Sequence, residues 1–324
     1  MWEGIIRKLV TLVALCVIAA VVLAALAPLG WPFEVLASFP VQLAVLTVGV
    51  TLAAAFLRSR LTLLLLAAAV VQVSFGAAAL FAGGQASVGA ATEEAPSLRI
   101  VSANVLYKSN GYEQTMAFVR EQDPDIFVVL EETARWRTAL EESLSEQYPY
   151  RQHAEPSATV RGASGVGMYS KVPLERVPLT VTAGDERPAL LAYADVGGRR
   201  LLVAAVHPWT PETPTRFAKR GAQLTDVASF IALAQEEAVM VGDFNLTPYS
   251  PEFARILQEG GLRDGAAGFG WQASWPAYLG PFGIPIDHAL VTEGVVVKDF
   301  QTGENIGSDH RPLILDMSIE GDFR

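Results

Sequence analysis

The 324 residues carry 24 Lys and Arg against 34 Asp and Glu, a formal net charge of −10, with four histidines and one cysteine. A lone cysteine excludes an intramolecular disulfide framework, and the acidic balance disfavours a protein that holds nucleic acid by charge alone. Residues 1–96 contain four basic and four acidic side chains, so residues 97–324 keep 20 basic and 30 acidic ones and carry the whole −10.

The chain begins apolar. Leu9 to about Leu29 supplies the roughly 20 residues needed to cross a bilayer core. A cleavable signal peptide is the rival reading, because Arg7-Lys8 is a charged start and Ala25-Leu-Ala27 resembles a cleavage site. Against it, the run is long for a signal core and Pro28 would follow the cut. Further apolar runs at about Val35–Leu57 and Leu61–Phe81 suggest three spans, with Pro40 interrupting the second. Cys16 lies in the first run as a small apolar residue. Arg7 and Lys8 precede the first run, Arg58 and Arg60 lie between the second and third, and residues 30–34 hold no basic residue. The positive-inside rule then puts the N-terminus in the cytoplasm and everything after Phe81 outside it. Gln72 and Ser74 are uncharged and mark no transport path. Residues 83–96, rich in Gly, Ala, Ser and Glu, read as a tether. The expected organisation is a transmembrane segment at 1–82, a linker at 83–96 and a soluble domain at 97–324.

From Leu98 strands and helices alternate. Strands are expected at Leu98–Ala103, Asp125–Leu130, Val166–Ser170, Leu190–Asp195, Arg199–Val206, Ala238–Val241, Ala289–Thr292, Val295–Phe300 and Pro312–Ser318. Helices are expected at Gly111–Gln122, Thr133–Glu146, Thr213–Ala234 and Pro251–Glu259. Gly197-Gly198 marks a hairpin, and Gly265–Pro285 is a Gly-, Trp- and Pro-rich loop. No internal repeat is visible. Hairpins mixed with helices favour an α/β fold of two packed sheets covered by helices over a single parallel sheet.

Polar residues at strand ends are the candidate site. Asn104 follows the first strand, where its amide can ligate a hard cation, bond a phosphate oxygen or simply make a turn. Glu131 ends the buried run Ile126–Leu130, so its carboxylate is partly desolvated and needs a partner, of which a metal is one. Glu132 should point the other way, into solvent. His207 follows Leu201–Val206 and reads by itself as a capped loop histidine. Asp243 and Asn245, one residue apart, point the same way on an extended segment and offer an acid–base group and an amide donor. Asp287 can fix the tautomer of His310 and raise its pKa, making it a base or a charged clamp. Asp309 is left to bind metal or water, and His288 should face away as a structural residue.

The ordered set Asn104, Glu131, His207, Asp243-x-Asn245, Asp287 and Asp309-His310 resembles the endonuclease/exonuclease/phosphatase superfamily over about Ser97–Ile319. Val241-Gly-Asp-Phe-Asn-Leu-Thr-Pro248 and Gly307-Ser-Asp-His-Arg-Pro312 are its most specific segments. The resemblance implies a four-layer sandwich with two mixed β-sheets flanked by helices, here preceded by an N-terminal transmembrane helical segment, as in bacterial membrane-anchored members. It implies that Glu131 holds Mg²⁺, or Mn²⁺, with Asn104 beside it and Asp309 contributing. Asp243 would orient or deprotonate the attacking water, or protonate the leaving group. Asn245 and His207 would bind the scissile phosphate, and Asp287 would orient His310. Two departures stand out. Gly283-Ile-Pro-Ile286 occupies a stretch where many nuclease members carry Arg or Lys, and His207-Pro-Trp-Thr stands roughly where abasic-site enzymes carry a tyrosine loop. An abasic-site repair role is therefore disfavoured. The expected function is a membrane-anchored, divalent-metal-dependent phosphoesterase. Its substrate would be a phospholipid headgroup, a nucleotide or nucleic acid, or a small phosphoester, with the lipid bilayer as a partner through the N-terminal helices. The alternative, a non-catalytic membrane sensor on the same scaffold, predicts loss of Glu131, Asp243, Asn245 or His310, and all four are present.

Overall fold

A computed structural model describes residues 2–82, 97–155, 165–177 and 187–320, with the backbone alone described for 74–82. The linker expected at 83–96 lies outside the described residues. The chain forms two compact units, Met1–Ala82 with Pro248–Phe253, and Gly83–Thr247 with Ala254–Arg324.

The first unit contains α1 (Trp2–Ala24), α2 (Phe33–Ala37), α3 (Pro40–Phe56) and α4 (Thr62–Ala82). Its interior seam is made of Ala14, Val17 and Val21 from α1, Val50 and Ala54 from α3, and Leu65 and Ala68 from α4. Larger apolar side chains point outward: Leu12 is 59% exposed, Leu63 78% and Phe56 88%. Small residues inside and large apolar ones outside suit an apolar solvent better than water. Thr47 and Thr51 are buried and donate their hydroxyls to the carbonyls of Leu43 and Thr47, so neither is left unpaired. Among the described residues one helix, Trp2–Ala24, is long and apolar enough to cross a bilayer; Pro40–Phe56 and Thr62–Val73 are shorter apolar helices. The second expected run divides because Pro40 lacks an N–H and keeps Phe39 out of helical geometry, at φ −115° and ψ 46°.

The second unit is an α/β fold with two mixed sheets flanked by helices. In chain order it comprises β1 (Ser97–Asn104), α5 (Tyr112–Gln122), β2 (Ile126–Glu132), α6 (Ala134–Leu144), β3 (Tyr150–Ala154), β4 (Gly165–Ser170), β5 (Leu174–Arg176), β6 (Leu190–Val196) and β7 (Arg199–Val206). These are followed by α7 (Pro214–Leu233), β8 (Glu237–Asp243), α8 (Pro251–Gly260), β9 (Arg263–Asp264), β10 (Asp287–Val291), β11 (Val295–Thr302) and β12 (Leu313–Ile319). The sheet orders are β11-β12-β1-β2-β4-β3 and β5-β6-β7-β8-β10-β9. Each sheet has one parallel pair at its centre, β1/β2 and β7/β8, with antiparallel neighbours on both sides. A parallel pair needs a crossover, and α5 and α7 supply them. The two sheets thus repeat one pairing pattern that leaves no trace as a sequence repeat.

The inner faces meet in one core, with Ile100, Val128 and Leu315 from the first sheet and Ala192, Val203 and Val241 from the second. On the outer face of the first sheet, Val101, Phe127 and Tyr169 pack against Phe118 of α5 and Trp136 and Leu140 of α6. The buried stripe Leu224, Val227, Ala228 and Ile231 of α7 has helical spacing, and the Thr213 side chain caps that helix by accepting from the Arg216 N–H. The sequence pattern misses β3, β5 and β9. All three are edge strands, short or polar, where one side lacks a partner and alternation fades.

Candidate active site

The parallel pairs place their C-terminal ends together. In register, Asn104 lies beside Leu130 on β2, and Val206 beside Gly242 on β8. The next residues, Glu131, His207 and Asp243, therefore leave equivalent strand ends. Gly242 is required there: its φ is +146°, and a Cβ would stand 2.0 Å from the Val206 carbonyl oxygen.

Asp243 is buried and sits at the centre. Its Oδ2 accepts from Asn104 Nδ2 at 3.2 Å and lies 3.5 Å from His207 Nε2 and 3.6 Å from His310 Nε2. Its Oδ1 accepts the Asn245 N–H at 2.9 Å. Asp287 opposes Asp243 across the β8/β10 ladder. Burial pushes the Asp243 carboxyl well above its ordinary range, and Asp287 adds to the push against the counteracting His310, Asn245 and Asn104.

Asp287 Oδ2 pairs with His310 Nδ1 at 2.8 Å. The Asp287 N–H and the Ile286 N–H both donate to Ser274 Oγ at 3.2 Å, which fixes the strand end. Burial alone would lower the His310 pKa, but Asp287 and Asp243 outweigh it and hold the ring protonated well above its ordinary value. Ser308 Oγ donates to the Asn104 carbonyl at 2.6 Å and accepts the His310 N–H at 3.1 Å, tying β1 to the loop before β12.

Glu131 reaches the site through a β-bulge. The β2/β4 register breaks between Leu130 and Glu132, and Glu131 adopts φ +64°. A non-glycine residue there is strained, and such strain collects at functional sites. The Glu131 carboxylate accepts the Tyr107 N–H at 2.8 Å and lies 3.4 Å from Asn104 Nδ2 and 3.9 Å from His207 Nε2.

The expectation that Glu132 faces solvent is wrong. The same bulge sends it to the helix-covered face of the sheet, where it is buried. Its carboxylate accepts from Tyr169 Oη at 2.6 Å and Arg137 Nη2 at 2.9 Å, and meets His153 Nδ1 at 2.8 Å. Gly167 makes room for it, since a Cβ there would lie 2.5 Å from Glu132 Oε1.

Asn245 also departs from expectation. It is not extended beside Asp243 but has φ +50°, held by the buried Arg220, whose Nη1 donates to its carbonyl at 2.8 Å. Its amide donates to the Pro208 carbonyl at 3.2 Å, toward the loop that carries His207. Asp309 stands further out, accepting Trp275 Nε1 at 3.4 Å. His288 turns away, its Nε2 2.7 Å from the Leu246 carbonyl and its ring edge-on to Phe244.

Sequence reasoning missed Arg187. Its Nη1 lies 3.1 Å from His207 Nε2 and 3.4 Å from Nδ1. Burial first, then Arg187 and His310, depress the His207 pKa far below its ordinary value, so this imidazole is neutral. No local motif announces Arg187, which lies 20 residues before His207 and reaches it only because β6 and β7 form a hairpin.

Two groupings suit a divalent cation. Asp243, Asp287 and His310 bring one ligand atom each within 4.8 Å of one another. Here, however, the His310 ring is protonated and its Nδ1 is taken by Asp287. The carboxylates of Glu131 and Asp243 meet the needs of a hard cation better, while Asn104 turns its Nδ2 to both and its Oδ1 accepts the Leu106 N–H at 3.0 Å.

The sequence profile of the Endonuclease/Exonuclease/phosphatase family matches residues 101–310. The fold is similar to that of an endonuclease/exonuclease/phosphatase from Beutenbergia cavernae DSM 12333, with TM-score 0.54 and 20% identity, covering 70% of this chain and 72% of that one. It is similar to a family protein from Bacteroides thetaiotaomicron, with TM-score 0.57 and 16% identity over 70% and 100% of the two chains. It is also similar to sphingomyelinase C from Streptomyces griseocarneus, with TM-score 0.50 and 22% identity over 68% and 99%. No curated protein matches the chain at a significant level.

Proposed function

The chain belongs to the endonuclease/exonuclease/phosphatase family, and we propose that it is a divalent-metal-dependent phosphoesterase that uses water to hydrolyse a phosphodiester or phosphomonoester. The observation that carries this reading is the convergence on one buried carboxylate, Asp243, of Asn104, His207 and the Asp287–His310 pair.

The donor set fits a hard cation. Glu131 and Asn104 would hold Mg²⁺ or Mn²⁺, with Asp309 or Asp243 contributing. When bound, such an ion neutralises charge on the phosphoryl oxygens and lowers the cost of releasing the leaving oxygen. The remaining chemistry belongs to side chains. Asp287 fixes the His310 ring and keeps it charged, so His310 Nε2–H donates to a phosphoryl oxygen whose charge grows in the transition state. Asp243, with its raised pKa, takes a proton from the attacking water or gives one to the leaving oxygen at Oδ2. His207, neutral, and the Asn245 amide bind the same phosphate. Burial of Asp243 and His310 keeps these interactions in a low-dielectric setting where they count for more.

The three apolar helices are proposed as membrane spans that place the catalytic unit outside the cytoplasm, on the distribution of Arg7, Lys8, Arg58 and Arg60. The test of function is a substrate panel for the full chain in detergent, with Mg²⁺ or Mn²⁺. It should include bis(p-nitrophenyl) phosphate, p-nitrophenyl phosphate, nucleotides, DNA and phospholipid vesicles. At least one should be hydrolysed, and Asp243→Asn should abolish the turnover. A folded protein that cleaves none of them in either metal would defeat the reading.

A further inference from the structure

We propose that Arg187, Trp209 and Arg216 form a second anion subsite beside the reacting phosphate, so that the preferred substrate carries a second phosphate group next to the scissile one. The proposal rests on the phosphoesterase reading for the identity of the first phosphate.

Residues 97–324 hold 30 acidic and 20 basic side chains, yet three cations gather on one indole next to the site. The Arg187 and Arg216 guanidinium carbons each lie 4.7 Å from the centre of the Trp209 ring, and Lys219 Nζ lies at 5.9 Å. The ring face attracts each cation but does not cancel their mutual repulsion. Arg216 is paired with Glu212 at the exposed start of α7, where water screens the pair. Among the described residues no carboxylate lies within ion-pair distance of Arg187; Glu131, Asp243 and Glu212 act on its charge only from further away. Arg187 Nη1 lies against the imidazole of His207, which when neutral offers one acceptor nitrogen, and 3.5 Å from the Pro208 carbonyl, and the buried Arg187 Nε has no hydrogen-bond partner. Gln223 Nε2 donates to the Arg187 carbonyl at 2.6 Å and anchors the backbone from α7.

A planar guanidinium held in place, whose Nη2 makes no hydrogen bond among the described residues, is a receptor for a phosphate oxygen. The position decides which phosphate. Arg187 reaches His207 Nε2, which is 3.5 Å from Asp243 Oδ2, so the guanidinium stands one side chain removed from the reacting centre. Arg216 continues the positive shelf outward along Trp209. A diphosphate or vicinal bisphosphate ester spans such a pair of subsites. A choline-type phosphodiester does not suit it, because the indole that would take a quaternary ammonium already faces the protein's own cations.

The test is calorimetric titration of the full chain in detergent and EDTA with pyrophosphate and with orthophosphate. Wild type should bind pyrophosphate at least about 10-fold tighter, the step expected for added charge-assisted hydrogen bonds. Arg216→Gln, on an exposed edge, should erase that preference while leaving orthophosphate binding within about 2-fold. Arg187→Gln should weaken both anions by about 10-fold or more. Equal affinity of wild type for the two anions, or an unchanged preference in Arg216→Gln, overturns the subsite. If Arg187→Gln fails to fold, the Arg216 variant decides alone. Turnover is not needed for this measurement. A chain that hydrolyses phosphoesters without the preference keeps the activity and loses the subsite. A chain that shows the preference but hydrolyses nothing keeps the subsite and loses the phosphoesterase reading.

Discussion

Asp243 shows how much a single buried carboxylate can organise. Its Oδ2 is approached by an amide, a neutral imidazole and a charged imidazole, each delivered by a different strand end or loop. Around it, Glu131→Gln should weaken Mg²⁺ or Mn²⁺ binding by at least about 10-fold while the fold survives, since it removes one hard-ligand charge. Calorimetry decides this, and unchanged metal affinity would remove Glu131 from the metal site. Asp287→Asn and His310→Ala should each cost about 10²-fold or more in kcat, and the double variant little beyond the worse single one, because the 2.8 Å pair acts as a unit. Single-variant losses that simply add in free energy would show two independent groups. Asn104, Glu131, His207 and Asp243 stood out in the sequence because each lies at the end of an apolar strand run. Arg187 did not, because a residue placed by a hairpin leaves no local spacing to read. Asn245 was misjudged because its backbone turns left-handed directly after β8, with its N–H on Asp243 Oδ1 and its carbonyl on Arg220.

At the scale of elements, the strands of the parallel pairs and the helices between them were readable from strong apolar runs and turn signals, but their parallel pairing was not. The edge strands were not, and neither was the β-bulge at Glu131. Strict alternation put Glu131 and Glu132 on opposite faces, which is correct, but it could not show that Tyr169, Arg137 and His153 wait on the far side for Glu132. This network carries a pH signature. Burial would raise the Glu132 pKa, but the bonds from His153 and Tyr169 and the charge of Arg137 bring it below its ordinary value of 4.5. The stabilisation is therefore complete above that ordinary value and is lost as pH falls through the lower folded one. Glu132→Gln should destabilise the fold by about 3 kcal/mol near neutral pH, the scale of breaking a buried pair. Thermal unfolding in EDTA should show the gap between wild type and variant narrowing below pH 4.5. A gap that stays constant or widens with acid would contradict the network as described.

For the whole molecule, an apolar helical unit and an α/β unit occupy one chain, and the charge asymmetry between them was plain from composition. Pro40, the interruption expected in the second apolar run, divides it into a short helix and a 17-residue one. The proposed placement of the α/β unit outside the cytoplasm predicts that alkaline phosphatase fused after Arg324 is active in cells and that a cytoplasm-dependent reporter at the same place is silent. The reverse pattern would move the active site into the cytoplasm. The central claim, that this site hydrolyses phosphoesters with a divalent cation, is tested most directly by one assay. Hydrolysis of bis(p-nitrophenyl) phosphate by the full chain is followed with Mn²⁺ or with EDTA, for wild type and His310→Ala. The account predicts turnover that EDTA abolishes and that the substitution lowers by about 10²-fold or more. Turnover that survives EDTA, or that His310→Ala leaves untouched, would contradict it.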